Sequence, residues 1–287
     1  MNAEENQEGK PVRIRVVQPS LIVRVVYPVV AIILAVVAWF AGVHYFKVPP
    51  YIMPPPEDVA VALVLKFHIL IRHTEPTIIA TVTGLGLSIA LGVPFAMLLV
   101  WSRTIERAIM PLLVFSQCFP KVAIGPILIV WFGWGILPKV LISFIISFFP
   151  IVIQTALGLK SVENDELDLI RIMSPSSFQI FTKIRIPNAL PFFFGGLKVA
   201  VTLSLIGSIV GEFIGADRGL GYLLQYANSE LDTELLFATM IFLMVLGGVL
   251  FLSVTRLEKW LLPWHVTVRE EKQGRAEVSE RAVEGTA

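Results

Sequence analysis

Long apolar runs separated by short polar breaks set the pattern of this chain, and run length is the first property that carries structure. A bilayer core about 30 Å thick is crossed by roughly 20 apolar residues in helical form. Val25 to Phe46, Pro76 to Trp101, Val140 to Leu159 and Leu235 to Thr255 meet that length without one Asp, Glu, Lys or Arg. Ala108 to Gly133 and Asn188 to Phe213 are also apolar, but hold Lys121 in the first and Lys198 and Glu212 in the second. The pattern predicts six transmembrane helices in an all-α, polytopic membrane fold. A soluble bundle would show a polar face on each helix, and these runs are apolar all round. The mean hydropathy of +0.77 agrees with that class.

Between the fourth and fifth runs the pattern breaks into a polar island, Lys160 to Pro191. Over Ser161 to Met173, Leu167, Leu169, Ile170, Ile172 and Met173 interleave with Glu163, Asp165, Glu166, Asp168 and Arg171, which predicts a short helix at a surface. Ser174 is placed to cap a second helix with Pro175 at its first position. Phe178, Phe181 and Ile184 give that helix one apolar stripe, and Pro187 is expected to end it before the fifth span. Ahead of the second run, Pro49-Pro50 and Pro54-Pro55-Pro56 impose extended backbone. Glu57 and Asp58 then open a short amphipathic helix, expected to lie outside the membrane, with a mere connector as the alternative.

Positively charged loops stay in the cytoplasm. With both termini placed there, only Lys47, Lys66, Arg72, Lys139 and Arg218 fall on the other side, and Lys121 and Lys198 within spans, of the 23 Lys and Arg residues. The first run is too long for a secretory leader and no cleavage site closes it, so it reads as a retained span. Cys118 is the sole cysteine, which excludes an intramolecular disulfide and any thiol-built metal site. A net charge of +1 gives no argument for nucleic acid. His44, His68 and His73 have no metal-ligand spacing, and no nucleophile is paired with a base, so no catalytic site is expected.

The island and its flanks resemble the permease subunits of bacterial ABC importers, whose cytosolic EAA loop ends in a Leu-Pro element. That end is matched here by Asn188-Ala189-Leu190-Pro191 followed by Gly195-Gly196-Leu197-Lys198. Counting back, the motif's Glu-Ala-Ala falls on Asp168, Leu169 and Ile170, its basic residue on Arg171 and its glycine on Ser174. Leu169, Ile170 and Ser174 replace small residues, which implies a bulkier docking surface. Pro120-Lys121-Val122-Ala123, Trp131-Phe132-Gly133 and Gly211-Glu212-Phe213 resemble the nitrate, sulfonate and taurine branch, and the first two elements look more like permeases for pyrimidine precursors of thiamine or for riboflavin. The resemblance implies a type I permease domain over 25–261 with a coupling loop at 160–187 and a cytoplasmic segment 1–24; the tail 262–287, rich in Glu, Arg and Lys with few apolar residues, is expected to be cytoplasmic and disordered.

It also implies partners: an ABC ATPase, a periplasmic or lipid-anchored substrate-binding protein and a second copy of this chain, in the bacterial inner membrane. The chain has no Gly-x-x-x-x-Gly-Lys-Ser/Thr loop. It is therefore not expected to be an enzyme or to hold a cofactor, ATP and Mg being bound by the partner ATPase. Asp168, Leu169, Ile170, Arg171, Met173, Ser174, Pro175, Ser176, Phe178 and Phe181 are the expected ATPase-coupling residues. A Lys at mid-span needs a cavity or a partner, so Lys121, with Gln117 on the same span, is a candidate for the translocation pathway. Glu212 is the candidate partner of Lys121, or else a cap on the turn at Gly219. Gly207, Gly211 and Gly215 recur every four residues and predict close helix packing. An ion-coupled secondary transporter or a channel is the competing class; it would call for intramembrane carboxylates and inverted repeats. A membrane-embedded enzyme ranks third.

Overall fold

The computed structural model describes residues 21–162, Leu167, Ile172 and residues 175–263, and all of the regular structure in them is helical. Helix α1 (Leu21–Tyr45) leads through the proline-rich stretch to α2 (Pro56–Leu65), which starts with Pro56 in its first turn and Glu57 and Asp58 beside it. Lys66 breaks the chain for one residue before α3 (Phe67–Trp101), so the second span begins well ahead of Pro76. Pro76 and Pro94 both lie inside α3 without ending it.

The third predicted span is not one rod. It divides into α4 (Arg103–Gln117) and, after a short 3-10 turn at Lys121–Ile124, α5 (Gly125–Phe132), with a bend of 86° between the two pieces. Pro120 is the cause. It has no N–H to continue the helix, and its ring disfavours helical angles at the residue before it. The N–H groups of Cys118 and Phe119 close tight turns onto Phe115 and Ser116 instead. Among the described residues five helices are therefore long and apolar enough to cross a bilayer, or six if the bent pair counts as one.

Helix α6 (Ile136–Lys160) follows. Helix α7 then runs without interruption over Ser177–Gly215. The cap of α7 is Ser176, two residues beyond the Ser174 expected from the sequence. Its Oγ accepts from the Gln179 N–H at 3.2 Å, while the Ser176 N–H donates to Gln179 Oε1 at 2.9 Å. This reciprocal box satisfies both orphan donors. Nor does Pro187 stop the helix: a π-helical stretch at Phe181–Arg185 leads straight into the span. The wider turn absorbs a proline ring that regular α-geometry would exclude. Helices α8 (Leu220–Ser229) and α9 (Thr233–Leu261) are the last of the described residues' helices, α9 capped by Asp232 through the Leu235 N–H at 3.0 Å.

The centre of the molecule is α6, held between α3 and α7 by small residues. A side chain added at Gly84 on α3 would stand 2.6 Å from the Ser143 side chain, and one at Gly207 on α7 would stand 2.7 Å from the Ser143 Cα. Gly211 abuts the Lys139 Cα in the same way at 2.8 Å, and Gly215 meets Ile129 and Trp134 at 2.5 and 3.0 Å. At the far end Gly158 of α6 faces the Ala189 Cα at 2.9 Å. Hydroxyls complete the contact. Thr81 and Ser208 are 2.8 Å apart, Ser204 donates to the Thr81 carbonyl at 2.8 Å, Ser143 and Ser204 are 2.5 Å apart, and Ser88 and Ser147 are 2.7 Å apart. In a bilayer, lipid is as apolar as leucine, so close backbone approach and interhelical hydrogen bonds hold helices together.

Candidate functional site

Two ends of the α3–α6–α7 core carry the chemistry. At one end Glu212, fully buried, ties the α7–α8 connection to α3. Thr77 Oγ1 donates to Glu212 Oε1 at 2.8 Å and accepts from the Leu220 N–H at 2.9 Å. The Gly221 N–H donates to Glu212 Oε2 at 2.7 Å, and the Gly219 N–H to His73 Nδ1 at 3.2 Å. Gly219 has φ +129°, which only glycine adopts freely, and the Glu212 carboxyl fills the space where its Cβ would be. Each polar group in this knot therefore has a partner. Of the two roles open to Glu212 from sequence, the structure displays the tie to the Gly219 turn.

Lys121 is elsewhere. Its ammonium lies over the Phe149 ring at 4.4 Å from the centroid, a cation–π contact with α6. Gln117 and Cys118 are exposed at the α4–α5 bend. Lys139, counted among loop cations from the sequence, is instead 5% exposed, lies against Gly211 of α7 and reaches the Arg218 carbonyl at 3.4 Å. Lys198 pairs with Glu258 of α9 at 2.5 Å. Among the described residues no three His, Cys, Asp or Glu side chains gather as for a metal.

The seam residues Thr77, Thr81, Ser88, Ser143, Ser147, Ser204 and Ser208 were not singled out from the sequence. Their signal is there: Thr77 and Thr81, Ser143 and Ser147, and Ser204 and Ser208 are each four apart, the spacing of one helix face. Apolar run length, which finds spans, ignores it.

The opposite end is where α6 finishes and α7 starts. Asp168, Leu169, Ile170, Arg171, Met173 and Ser174, and most of the surface helix expected over Ser161 to Met173, lie outside the described residues. Of the remaining coupling residues, Ser176 caps α7, Pro175 precedes it, Phe178 is exposed, and Phe181 packs edge-on against Trp101 of α3 at 5.9 Å between centroids. Val162 and Leu167 are buried here, and Asn188 Nδ2 donates to Ser161 Oγ at 3.1 Å. Lys160 forms an ion pair with Glu106 of α4.

Residues 84–264 match the model of the family described as binding-protein-dependent transport system inner membrane component. The chain is 38% identical over 216 residues to the formylaminopyrimidine transport permease protein ThiX of Halalkalibacterium halodurans, covering 75% of this chain and 86% of the relative. Against the riboflavin transport system permease protein RibX of Chloroflexus aurantiacus it is 32% identical over 240 residues, covering 83% and 90%. The taurine transport system permease protein TauC of Escherichia coli is 25% identical over 238 residues, covering 80% and 86%. In fold, the chain resembles a solved chain of the MetNI methionine ABC transporter, with TM-score 0.59, 18% identity, and 68% of this chain and 96% of that one covered. With its succession of apolar helices, this chain belongs to the inner-membrane components of binding-protein-dependent transport systems, and is a multi-pass permease subunit of an ABC importer rather than an enzyme.

Proposed function

We propose that this permease forms half of the pathway for a small organic solute, a pyrimidine precursor of thiamine or riboflavin ahead of a sulfonate, taurine or nitrate. The observation that carries the solute preference is the order of similarity: 38% and 32% identity to permeases named for formylaminopyrimidine and riboflavin, against 25% for one named for taurine. The second half is another copy of this chain about a twofold axis, the usual closed solution for a half-pathway. Both termini and the 160–187 loop face the cytoplasm, and a binding protein delivers solute from the other side.

Energy enters through the loop. A partner ATPase holds ATP and Mg and seats Asp168 to Phe181 in a cleft; its closure moves the seated segment as a rigid body and rocks the core helices. What supports this reading is the mechanical continuity of α7, whose capped start at Ser176 and whose Glu212 knot belong to one helix. Gln117 and Lys121, beside the α4–α5 bend, and Glu212, at the α7–α8 turn, are the proposed pathway group. The test is the double charge reversal Asp168→Arg with Arg171→Glu. Co-purification of the ATPase and ATP-dependent uptake of radiolabelled pyrimidine should both drop at least tenfold, the loss of about 1.4 kcal/mol of docking energy. Retention of both would place coupling elsewhere. Uptake that survives ATP depletion but collapses with the proton gradient would favour a secondary transporter.

A further inference from the structure

The break between α4 and α5 lies at membrane depth. Helix α4 starts beside the end of α6, where Glu106 pairs with Lys160, and its 15 residues run about 22 Å at 1.5 Å per residue. Just past its end Lys121 meets Phe149, which stands near the middle of the 25-residue α6. Irregular backbone at that depth is sustained only where protein encloses it or water reaches it. Within this chain Gln117, Cys118, Phe119, Val122 and Ala123 are all exposed. Lys121 sits among them, and a charge at mid-span turns to a water-filled cavity or a polar partner rather than to hydrocarbon. Irregular backbone and a cation on one exposed surface are the makings of a pathway wall.

What this wall offers a solute is the face of a ring. The Lys121 ammonium lies over Phe149, 4.4 Å from its centroid, and both side chains are half-buried. The ring is braced at its edge. Phe148 meets it at 5.7 Å between centroids and 85° between planes, and Phe148 is itself packed on Phe95 of α3 at 5.9 Å and on Phe144 at 5.4 Å. Phe149 also packs against the buried cluster that holds Leu99, Leu113 and Val152. A ring fixed in this way keeps its orientation whatever lies over it. The face of a benzene ring carries negative charge density, which attracts an ammonium and equally a ring made electron-poor by its nitrogens. A sulfonate or nitrate has no such ring and would use the ammonium alone.

We propose that the face of Phe149 beneath Lys121 is the seat of the solute's heteroaromatic ring, an assignment that rests on the pyrimidine or riboflavin solute proposed above. In this structure the ammonium occupies that face. An arriving ring takes its place by offset stacking, and Lys121 turns to donate to the ring's nitrogen or carbonyl acceptors. Phe149 is then the residue that favours flat, electron-poor rings over small anions.

The test uses the purified full-length chain in detergent, with binding of formylaminopyrimidine and of taurine read by saturation-transfer difference NMR, beside uptake of radiolabelled formylaminopyrimidine by cells carrying the whole transporter. Phe149→Leu should weaken pyrimidine binding about tenfold, and Phe149→Tyr, which keeps the ring face, should bind as the parent does. Phe144→Leu removes a neighbouring ring but not the one under Lys121, and should leave binding intact. Lys121→Gln should stay within about threefold of the parent, since an amide still donates to the ring's polar edge. Matched unfolding temperatures identify the variants that fold, and Phe149→Met serves if Phe149→Leu does not. Pyrimidine uptake by the parent together with binding that ignores Phe149, or with no binding, overturns the seat and leaves the proposed solute standing. Taurine binding that needs Lys121 but not Phe149, with none of the pyrimidine, makes the wall an anion site and overturns the seat. Parent cells that take up no pyrimidine overturn the proposed solute and the seat with it.

Discussion

Helices α1 and α6 have the same mean hydropathy, yet half of the apolar window of α6 is buried and only 6% of that of α1. Helix α1 touches the rest of the chain at few points, chiefly Val43 and the Trp39–Phe237 ring pair at 5.6 Å. Helix α6 is enclosed by α3 and α7 on glycine and hydroxyl surfaces. The difference lies in residue size. Where Ser and Gly line a face, another backbone can approach; where Ile, Leu and Val line it, lipid is as good a neighbour as protein. Apolarity takes a helix into the membrane, and smallness decides which helices become its core.

The largest effect should come from filling the seam. Gly207→Leu forces a side chain into the backbone of α6, where its Cβ alone would be 2.7 Å from the Ser143 Cα. Overpacking costs about 1–3 kcal/mol even where side chains can yield, and here the obstacle is backbone, so no monodisperse permease should elute from size exclusion in detergent. Gly86→Leu, a glycine of α3 with open space around it, should elute as the parent does.

Next comes the knot. Glu212→Ala leaves the Gly221 N–H and the Thr77 hydroxyl without their carboxylate inside the protein. The expected loss is about 3 kcal/mol, read as a lower unfolding temperature in detergent. If α7 is the lever through which ATP acts, uptake should fall further than stability does. Single hydroxyl removals should be milder: Ser204→Ala ought to cost about 0.6 kcal/mol, the average for a hydrogen bond between membrane helices.

These magnitudes explain what was legible in the sequence. Run length located each apolar segment, because apolar length is a local property of the chain. Phe119-Pro120 already contained the 86° bend, but a proline inside an apolar run reads two ways: Pro94 and Pro150 sit within unbroken helices. Which one breaks is decided by the packing around it. The same holds at Pro187, where a π-turn carried the helix through a residue expected to end it. Glu212 was conspicuous as a carboxylate in a span, but its partners Thr77 and Gly221 lie on α3 and α8, and only the fold brings them together. Lys139 looked like a loop cation because it falls just ahead of the uncharged run that starts at Val140, and the burial comes from the contact with Gly211 of α7.

A smaller effect belongs to the ion pair between Lys66, at the α2–α3 break, and Asp232, the cap of α9, with N and O 2.6 Å apart. Burial alone would raise the Asp232 carboxyl, but hydrogen bonds from Lys66 and the Leu235 N–H and the Lys66 charge outweigh it, so the carboxyl is held below its usual value. A carboxyl held low in the folded state adds stability above its unfolded value, about 3.9, and loses it as pH falls through the folded one. Both side chains are about a third exposed, so the contribution is at most about 1 kcal/mol. Asp232→Asn should flatten the fall in unfolding temperature between neutral and acid pH, while Glu230→Gln should not.

The weakest response should come from α1, and it tests the role of size most directly because hydrophobicity is matched. Ile32 and Leu34 are 64% and 62% exposed, whereas Ile151 on α6 is fully buried between its neighbours. Ile32→Ala and Leu34→Ala remove the same methylene count as Ile151→Ala, yet the first two take lipid contacts from a face that lipid refills. They should shift stability by less than about 0.5 kcal/mol. Ile151→Ala leaves a cavity that α3 and α7 cannot close, because glycine and hydroxyl contacts already hold their backbones against α6, and it should cost about 2 kcal/mol or more. Equal losses at all three positions in a detergent unfolding series would mean that α1 is held as tightly as α6, and residue size would no longer separate core helices from peripheral ones.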